Sequence, residues 1–196
     1  MKIPIFPLNG AIMFPKTNLP LNIFEERYID MIDFALSNNR FLGMVQERSN
    51  KKLYDIGCYG KITVFNETND KRYIINLEGL NCFKILREVE TEYKFRVCEI
   101  EVFNNFNDYE INDGTKAKII DRFEKYNKSK NINLQLEEIS KLDIVDLLKF
   151  IVMISPFDFS LKQMFLELKS NKELYENVLS TLEIELASKE KTSTIN

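Results

Sequence analysis

The first half of the chain reads mainly as strands. Short apolar runs occupy residues 3–6, 19–24 and 41–45, and residues 57–66 carry Ile62-Thr-Val-Phe65. Residues 72–78 alternate, with Tyr73, Ile75 and Leu77 on one face, and residues 81–87 alternate again through Phe83 and Ile85. Period-two spacing of this kind marks half-buried strands. Over residues 93–102 the apolar phase changes from Tyr93, Phe95 and Val97 to Cys98, Ile100 and Val102. A change of face predicts a β-bulge, a device by which barrels bend. One helix interrupts the strands: Phe24, Tyr28, Met31, Ile32, Ala35 and Leu36 form a stripe at helical spacing. Glu25 and Glu26 fall in its first turn, where the helix dipole favours negative charge, and Asn38-Asn39 can end it.

The pattern changes after Val102. The polar run 104–108 predicts a linker, and helical spacing follows. A helix is expected from Asp113 or Thr115 to about Lys128, then a polar connection over 127–133. Asp143 is placed to cap an apolar helix that runs to Ile154 and is broken by Pro156. Ser160 and Gln163 have capping-box spacing, with Leu161, Met164, Phe165 and Leu168 as the stripe behind them. A last helix is expected from Asn171, facing inward through Tyr175, Val178, Leu179, Leu182 and Leu186. The expected fold class is α+β: a β-barrel with one inserted helix over residues 1–103, a linker over 104–112, a C-terminal helical bundle over 113–188, and a disordered tail over 189–196.

Composition narrows the classes of function. The chain has 196 residues, 44% of them hydrophobic, with fifteen Phe, eight Tyr and no Trp, so an aromatic-rich core is expected. The net charge of −3 gives no electrostatic reason to expect a nucleic-acid or anionic-membrane partner. Cys58, Cys82 and Cys98 include no C-x-x-C pair, which speaks against a disulfide framework or zinc site and for buried, reduced thiols in a cytoplasmic protein. The N-terminal apolar stretch is broken by Pro4, Pro7, Asn9 and Gly10, unlike a signal peptide. The most apolar window, 142–154, is too short to cross a bilayer.

Motifs for catalysis are missing. The chain contains no histidine, which removes the commonest general base and metal ligand. It has no phosphate loop and no dinucleotide fingerprint; Gly57-Cys-Tyr-Gly60-Lys61 has the wrong spacing. Glu25-Glu26, Glu99/Glu101 and Glu137-Glu138 read as helix starts or solvated faces. The Ser160/Lys162 pair is explained by helix capping. No cofactor or metal is expected. Phe14, Pro15, Leu19, Pro20, Phe106 and Tyr109 fall in segments expected to be loops, where large apolar groups are unusual unless packed or binding, so they are the candidate peptide-binding residues.

One pattern is specific: Ile5-Phe-Pro7-Leu8, Met13-Phe-Pro15, Leu19-Pro-Leu21, Ile23-Phe-Glu-Glu-Arg27-Tyr28, Phe41-Leu-Gly43, Tyr54-x-Ile-Gly57 and Leu77-Glu-Gly79-Leu-x-x-Phe83. In order and spacing it resembles the N-terminal substrate-recognition domain of the ATP-dependent protease Lon, and most of all the stand-alone proteins that carry only that domain. The segment from Ser160 to Glu167 is similar to the start of the last helical hairpin in those proteins. The chain departs from the family at three points: Lys16 and Cys82 stand where glycine and arginine are usual, and Asn69-Asp70 replaces an Asp-Gly turn. The resemblance implies a PUA-like β-barrel and a helical bundle that help recognise unfolded or damaged polypeptides. The ATPase and Ser-Lys protease modules of Lon lie outside the domain, so the chain is expected to be non-catalytic. Its expected partners are unfolded or hydrophobic polypeptide segments and a protease or chaperone. A PUA-like RNA-binding protein is the alternative, with 125–130 as the only basic cluster. Pro7, Phe24, Glu25, Arg27, Tyr28, Gly57, Gly79 and Phe83 are motif residues expected to maintain the fold. Phe24 and Tyr28 are expected to dock the helix, and Glu25 and Arg27 to find partners other than each other.

Overall fold

The computed structural model describes residues 1–48, 50–104, 113–134 and 136–193. Among them the fold is mixed α+β, with six strands and six helices. The strands are β1 (Lys2–Pro7), β2 (Asn18–Ile23), β3 (Phe41–Val45), β4 (Ile56–Glu67), β5 (Tyr73–Val89) and β6 (Arg96–Phe103), with α1 (Glu26–Leu36) between β2 and β3. The remaining helices are α2 (Asp113–Lys130), α3 (Leu136–Ile139), α4 (Ile144–Ile154), α5 (Phe159–Leu166) and α6 (Asn171–Ser193). Contacts divide the chain into two compact units: Met1–Asn105 with Phe157–Glu167, and Phe106–Pro156 with Leu168–Asn196.

In the first unit, strand pairing closes a ring. β1 lies parallel to β3 and antiparallel to β6, and the antiparallel pairs β3–β4, β4–β5 and β5–β6 complete the circuit. β2 stands outside the ring, antiparallel to the first half of β5, from Asn18 opposite Glu78 to Ile23 opposite Tyr73. Ile3, Ile5, Val45, Phe83, Cys98 and Ile100 form a buried core cluster. Alternation along the strands puts these residues on the face turned inward.

The two segments expected at 72–78 and 81–87 are one strand, β5. Gly79 does not break it. A Cβ there would collide with the carbonyl oxygen of Phe14, so glycine is needed for the 14–17 turn to cross the strand. Gly57 is required in the same way, against the Met44 carbonyl. The expected bulge in 93–102 is also different: the register shift lies between Ile85 and Arg87 on the partner strand. Val97 and Cys98 are both buried because both faces of β6 are covered there, so no phase change is needed.

The segment from Asp158 to Glu167 departs most from its expected reading. The N-cap of α5 is Asp158, which accepts a hydrogen bond from the Ser160 N–H at 2.8 Å, and not Ser160. The buried residues of α5 are Lys162, Gln163, Phe165 and Leu166, which is not the expected stripe. Gln163 reaches β4, donating from Nε2 to the Ile56 carbonyl at 3.0 Å. Gln46 donates to the Phe159 carbonyl at 3.0 Å, and Lys162 Nζ to the Gly10 carbonyl at 2.9 Å. Burial pushes the Lys162 ammonium below its ordinary value. Three polar side chains thus bind α5 to the strand unit, in contrast to the single bundle expected over 113–188.

The second unit packs α2, α4 and α6 through Ile119, Phe123, Leu148, Ile151, Leu174 and Val178, all buried. Asp143 caps α4, accepting from the N–H groups of Val145 and Asp146. α6 runs to Ser193, past residue 189 where ordered structure was expected to end. The expected linker, with Phe106 and Tyr109, lies outside the described residues apart from Asn104.

Candidate functional site

The end of β1 and the β2–α1 junction flank a groove of about 300 Å³. One wall is Phe6, Pro7 and Leu8, and the other is Leu21, Asn22 and Ile23. Phe24, Glu25, Arg27 and Tyr28 line the end where α1 begins. Tyr28 is buried and meets Phe6 edge-on, with ring centroids 4.6 Å apart. Burial pushes its phenol pKa up, against the opposing effect of Arg27.

Phe24 behaves differently from the docking residue expected. It is 66% exposed, because Ile23 ends β2 facing inward and Glu25, the N-cap, already precedes the first residue of α1, Glu26. Its ring lies 5.9 Å from the guanidinium carbon of Arg72. Glu25 is the N-cap residue, with extended backbone (φ −75, ψ 130), and its side chain makes no capping bond. It instead accepts from Arg27 Nε at 3.0 Å. The expectation that these two cannot meet applies within a helix, and Glu25 lies outside α1. The Arg27 guanidinium also stacks 4.5 Å from the centre of the Tyr28 ring. The charges at this end are therefore paired, leaving Phe24 as its exposed apolar group.

The groove walls are strand edges with a neighbour on one side only. β6 begins at Arg96, opposite Ile5, so Phe6 and Pro7 have only β3 beside them. β2 has only β5. Gly79 N–H donates to the Thr17 carbonyl at 2.8 Å, which sets the ladder parity. Leu19, Leu21 and Ile23 then turn their backbone groups to β5, while Asn18, Pro20 and Asn22 turn theirs outward. Pro20 has no N–H to present, as befits an edge.

Of the candidate binding residues, Phe14 and Pro15 are in the interior, and Phe14 has no exposed surface. The segment at 14–17 is a turn folded across β5, with Thr17 Oγ1 donating to the Phe14 carbonyl at 2.7 Å. Leu19 and Pro20 belong to β2, as the apolar run 19–24 indicates, and not to the loop in which the candidate binding residues were placed. Of the motif residues, Gly57, Gly79 and Phe83 serve the fold, whereas Pro7, Phe24, Glu25, Arg27 and Tyr28 gather around the groove. Among the described residues no group of three or more His, Cys, Asp or Glu side chains could hold a metal ion. No helix among them is long and apolar enough to cross a membrane.

A closed ring of strands with an inserted helix, and a groove at the β2–α1 junction beside an exposed Phe24, make up this end of the first unit. The chain belongs to the ATP-dependent protease La (LON) substrate-binding domain family, which matches residues 2–183. It is 22% identical over 202 residues to the Lon protease of Desulfosudis oleivorans, covering 99% of this chain and 24% of that protein. It is 23% identical to the Lon protease of Buchnera aphidicola, covering 94% of this chain and 25% of that protein. The chain thus spans about a quarter of the length of these relatives. Among solved structures it is similar to the Lon N-terminal domain protein from Xanthomonas campestris, with TM-score 0.70 at 17% identity, covering 92% of this chain and 98% of that one. The N-terminal domain of a Mycobacterium avium complex Lon protease matches with TM-score 0.64 at 13% identity, covering 93% and 98%.

Proposed function

We propose that this protein is a non-catalytic, cytoplasmic recognition module that holds extended, apolar stretches of unfolded or damaged polypeptide in the groove beside Phe24. Membership of a substrate-binding family supports the general role, and the exposed Phe24 ring at an otherwise charge-paired groove carries the assignment of the surface. The closed strand ring with its inserted helix supports reading the first unit as a PUA-like barrel. Recognition would combine burial of a client side chain against Phe24 with main-chain bonds to the outward N–H and C=O of Asn22. Backbone bonding of this kind is insensitive to client sequence. Affinity is weak because an extended client loses conformational freedom when held. A protease or chaperone is the partner class to which such a module would deliver its client.

The test is binding of a denatured model protein, followed by fluorescence anisotropy. Phe24→Ser should weaken binding by about tenfold, equivalent to ~1.4 kcal/mol, and leave the thermal midpoint unchanged. Unaltered affinity in that variant would remove the groove from the reading. No binding by wild type at high micromolar concentration would remove polypeptide recognition itself. Affinity should also be nearly constant with salt; a steep fall would favour the alternative of RNA binding by a PUA-like barrel, which the net charge of −3 disfavours.

A further inference from the structure

Cys58 on β4 stands directly opposite Cys82 on β5. Residues opposite each other in an antiparallel pair share a face, and the distance between them depends on whether they are hydrogen-bonded to one another. The Ile85 N–H donates to the Asp55 carbonyl at 2.7 Å. Asp55/Ile85 is therefore a hydrogen-bonded pair, and by alternation so are Gly57/Phe83 and Tyr59/Asn81. Cys58/Cys82 falls in the close, non-hydrogen-bonded class, with Cα atoms about 4.5 Å apart. That separation is within the window of about 4.4–6.8 Å that a disulfide spans.

The third cysteine is placed differently. Cys98 belongs to the core cluster with Phe83, and Phe83 adjoins Cys82 along β5, so Cys98 and Cys82 lie on opposite faces of the strands. Burial and the nearby Glu88 carboxylate push the Cys98 thiol up to about 11. Cys58 and Cys82 continue a row that has Met44 opposite Cys58 and Phe103 opposite Cys82. This face is partly covered by α5. Gln163 is bonded to Ile56, two residues from Cys58, and Gln163, Leu166 and Met44 line a common crevice. All three cysteines are thiols, and all are buried.

We propose that Cys58 and Cys82 form a redox modification site, a cross-strand dithiol that closes to a disulfide when α5 loosens and a two-electron oxidant enters. With hydrogen peroxide, one thiolate displaces hydroxide from the peroxide to give a sulfenic acid and, after proton transfer, water. The second thiolate attacks that sulfur and expels hydroxide, which becomes a second water. Two thiols and one peroxide thus yield one disulfide and two waters, the sulfur pair losing two electrons. The bond would fasten β4 to β5 at the point where α5 is bonded, so the modification would record opening of that helix.

The experiment uses the full chain and hydrogen peroxide. The protein is quenched by alkylation under denaturing conditions and mapped without reduction. Expected is a Cys58–Cys82 linked peptide, with Cys98 alkylated and the link reversed by dithiothreitol. Gln163→Ala, which releases α5 from the Ile56 carbonyl, should speed formation of the link while circular dichroism confirms the fold. Three alkylated thiols after oxidation, a link that includes Cys98, or sulfinic acid at Cys58 or Cys82 in place of the link would each overturn the proposal. An unchanged rate in a folded Gln163→Ala protein would overturn the shielding by α5.

Discussion

Phe24 presents two-thirds of its surface to water, while Phe14, in the preceding proline-rich segment, presents none. Both are large apolar residues near prolines, and neither composition nor spacing distinguishes them. The difference lies in what comes across the chain: the 14–17 turn folds onto Gly79 of β5, whereas Phe24 sits where a strand hands over to a helix. Phe14→Ser should cost about 3–5 kcal/mol, as expected for emptying a fully enclosed aromatic site; chemical denaturation measures it. The same replacement at Phe24 should leave stability unchanged. Lys16 shows the same dependence on context. Its φ of +64 is left-handed, in a turn that places Pro15 second and Lys16 third. That is the position at which such a turn favours glycine. Lys16→Gly relieves the backbone but frees the unfolded chain, so a net gain of up to about 1 kcal/mol is expected. A lower denaturation midpoint would contradict that account of the turn.

At the scale of elements, α1 and α4 follow from their own sequences. Tyr28, Met31, Ile32 and Ala35 are the buried positions of α1, at the spacing that the apolar stripe indicates. Asp143 caps α4, and its cap is open to a pH test. Burial raises its pKa, but hydrogen bonds from Asp146 and Val145 prevail and hold the carboxyl below its ordinary value. A depressed folded pKa contributes stability above the unfolded value, and that contribution is lost as pH falls through the folded value. Asp143→Ala should therefore cost about 1 kcal/mol at neutral pH. The difference from wild type should disappear as pH drops below the normal carboxylate range. A pH-independent difference would mean that the cost arises elsewhere than from the charged cap. α5 is the element whose burial could not be read locally. Lys162 and Gln163 look like a solvent face, yet both are buried, with carbonyls at Gly10 and Ile56, more than a hundred positions earlier, accepting their hydrogen bonds.

For the molecule as a whole, the consequence is that the order of the chain and the order of the units differ. The first unit needs residues 157–167, contributed after three helices of the second. A fragment ending at residue 105 would leave Gln46 and the Ile56 carbonyl without their α5 partners and expose apolar surface. It should melt below the full chain and aggregate on size-exclusion chromatography. A fragment as stable and monodisperse as the full chain would show that α5 is dispensable to the strand unit. Separating the two halves at the polar run after Val102, natural as it looks in sequence, cuts through a unit.

The sequence by itself determined the local choices: strands by period-two alternation, α1 by its stripe, the α4 cap by Asp143, and the family by prolines, glycines and aromatics at set intervals. These depend on neighbours within a turn or a strand, and alternation and helical spacing are visible at that range. Tertiary structure alone decided which motif residues face solvent and which lie within. Pro7 and Phe24 come together at the groove from different strand ends, while Phe14 disappears beneath a crossing turn. Tertiary structure also decided that α5 belongs to the strand unit and that Cys58 faces Cys82. The physical reason is common to all three. Each depends on pairing register and on long-range acceptors, set by how the strand ring closes, and one sequence window holds only one side of each contact.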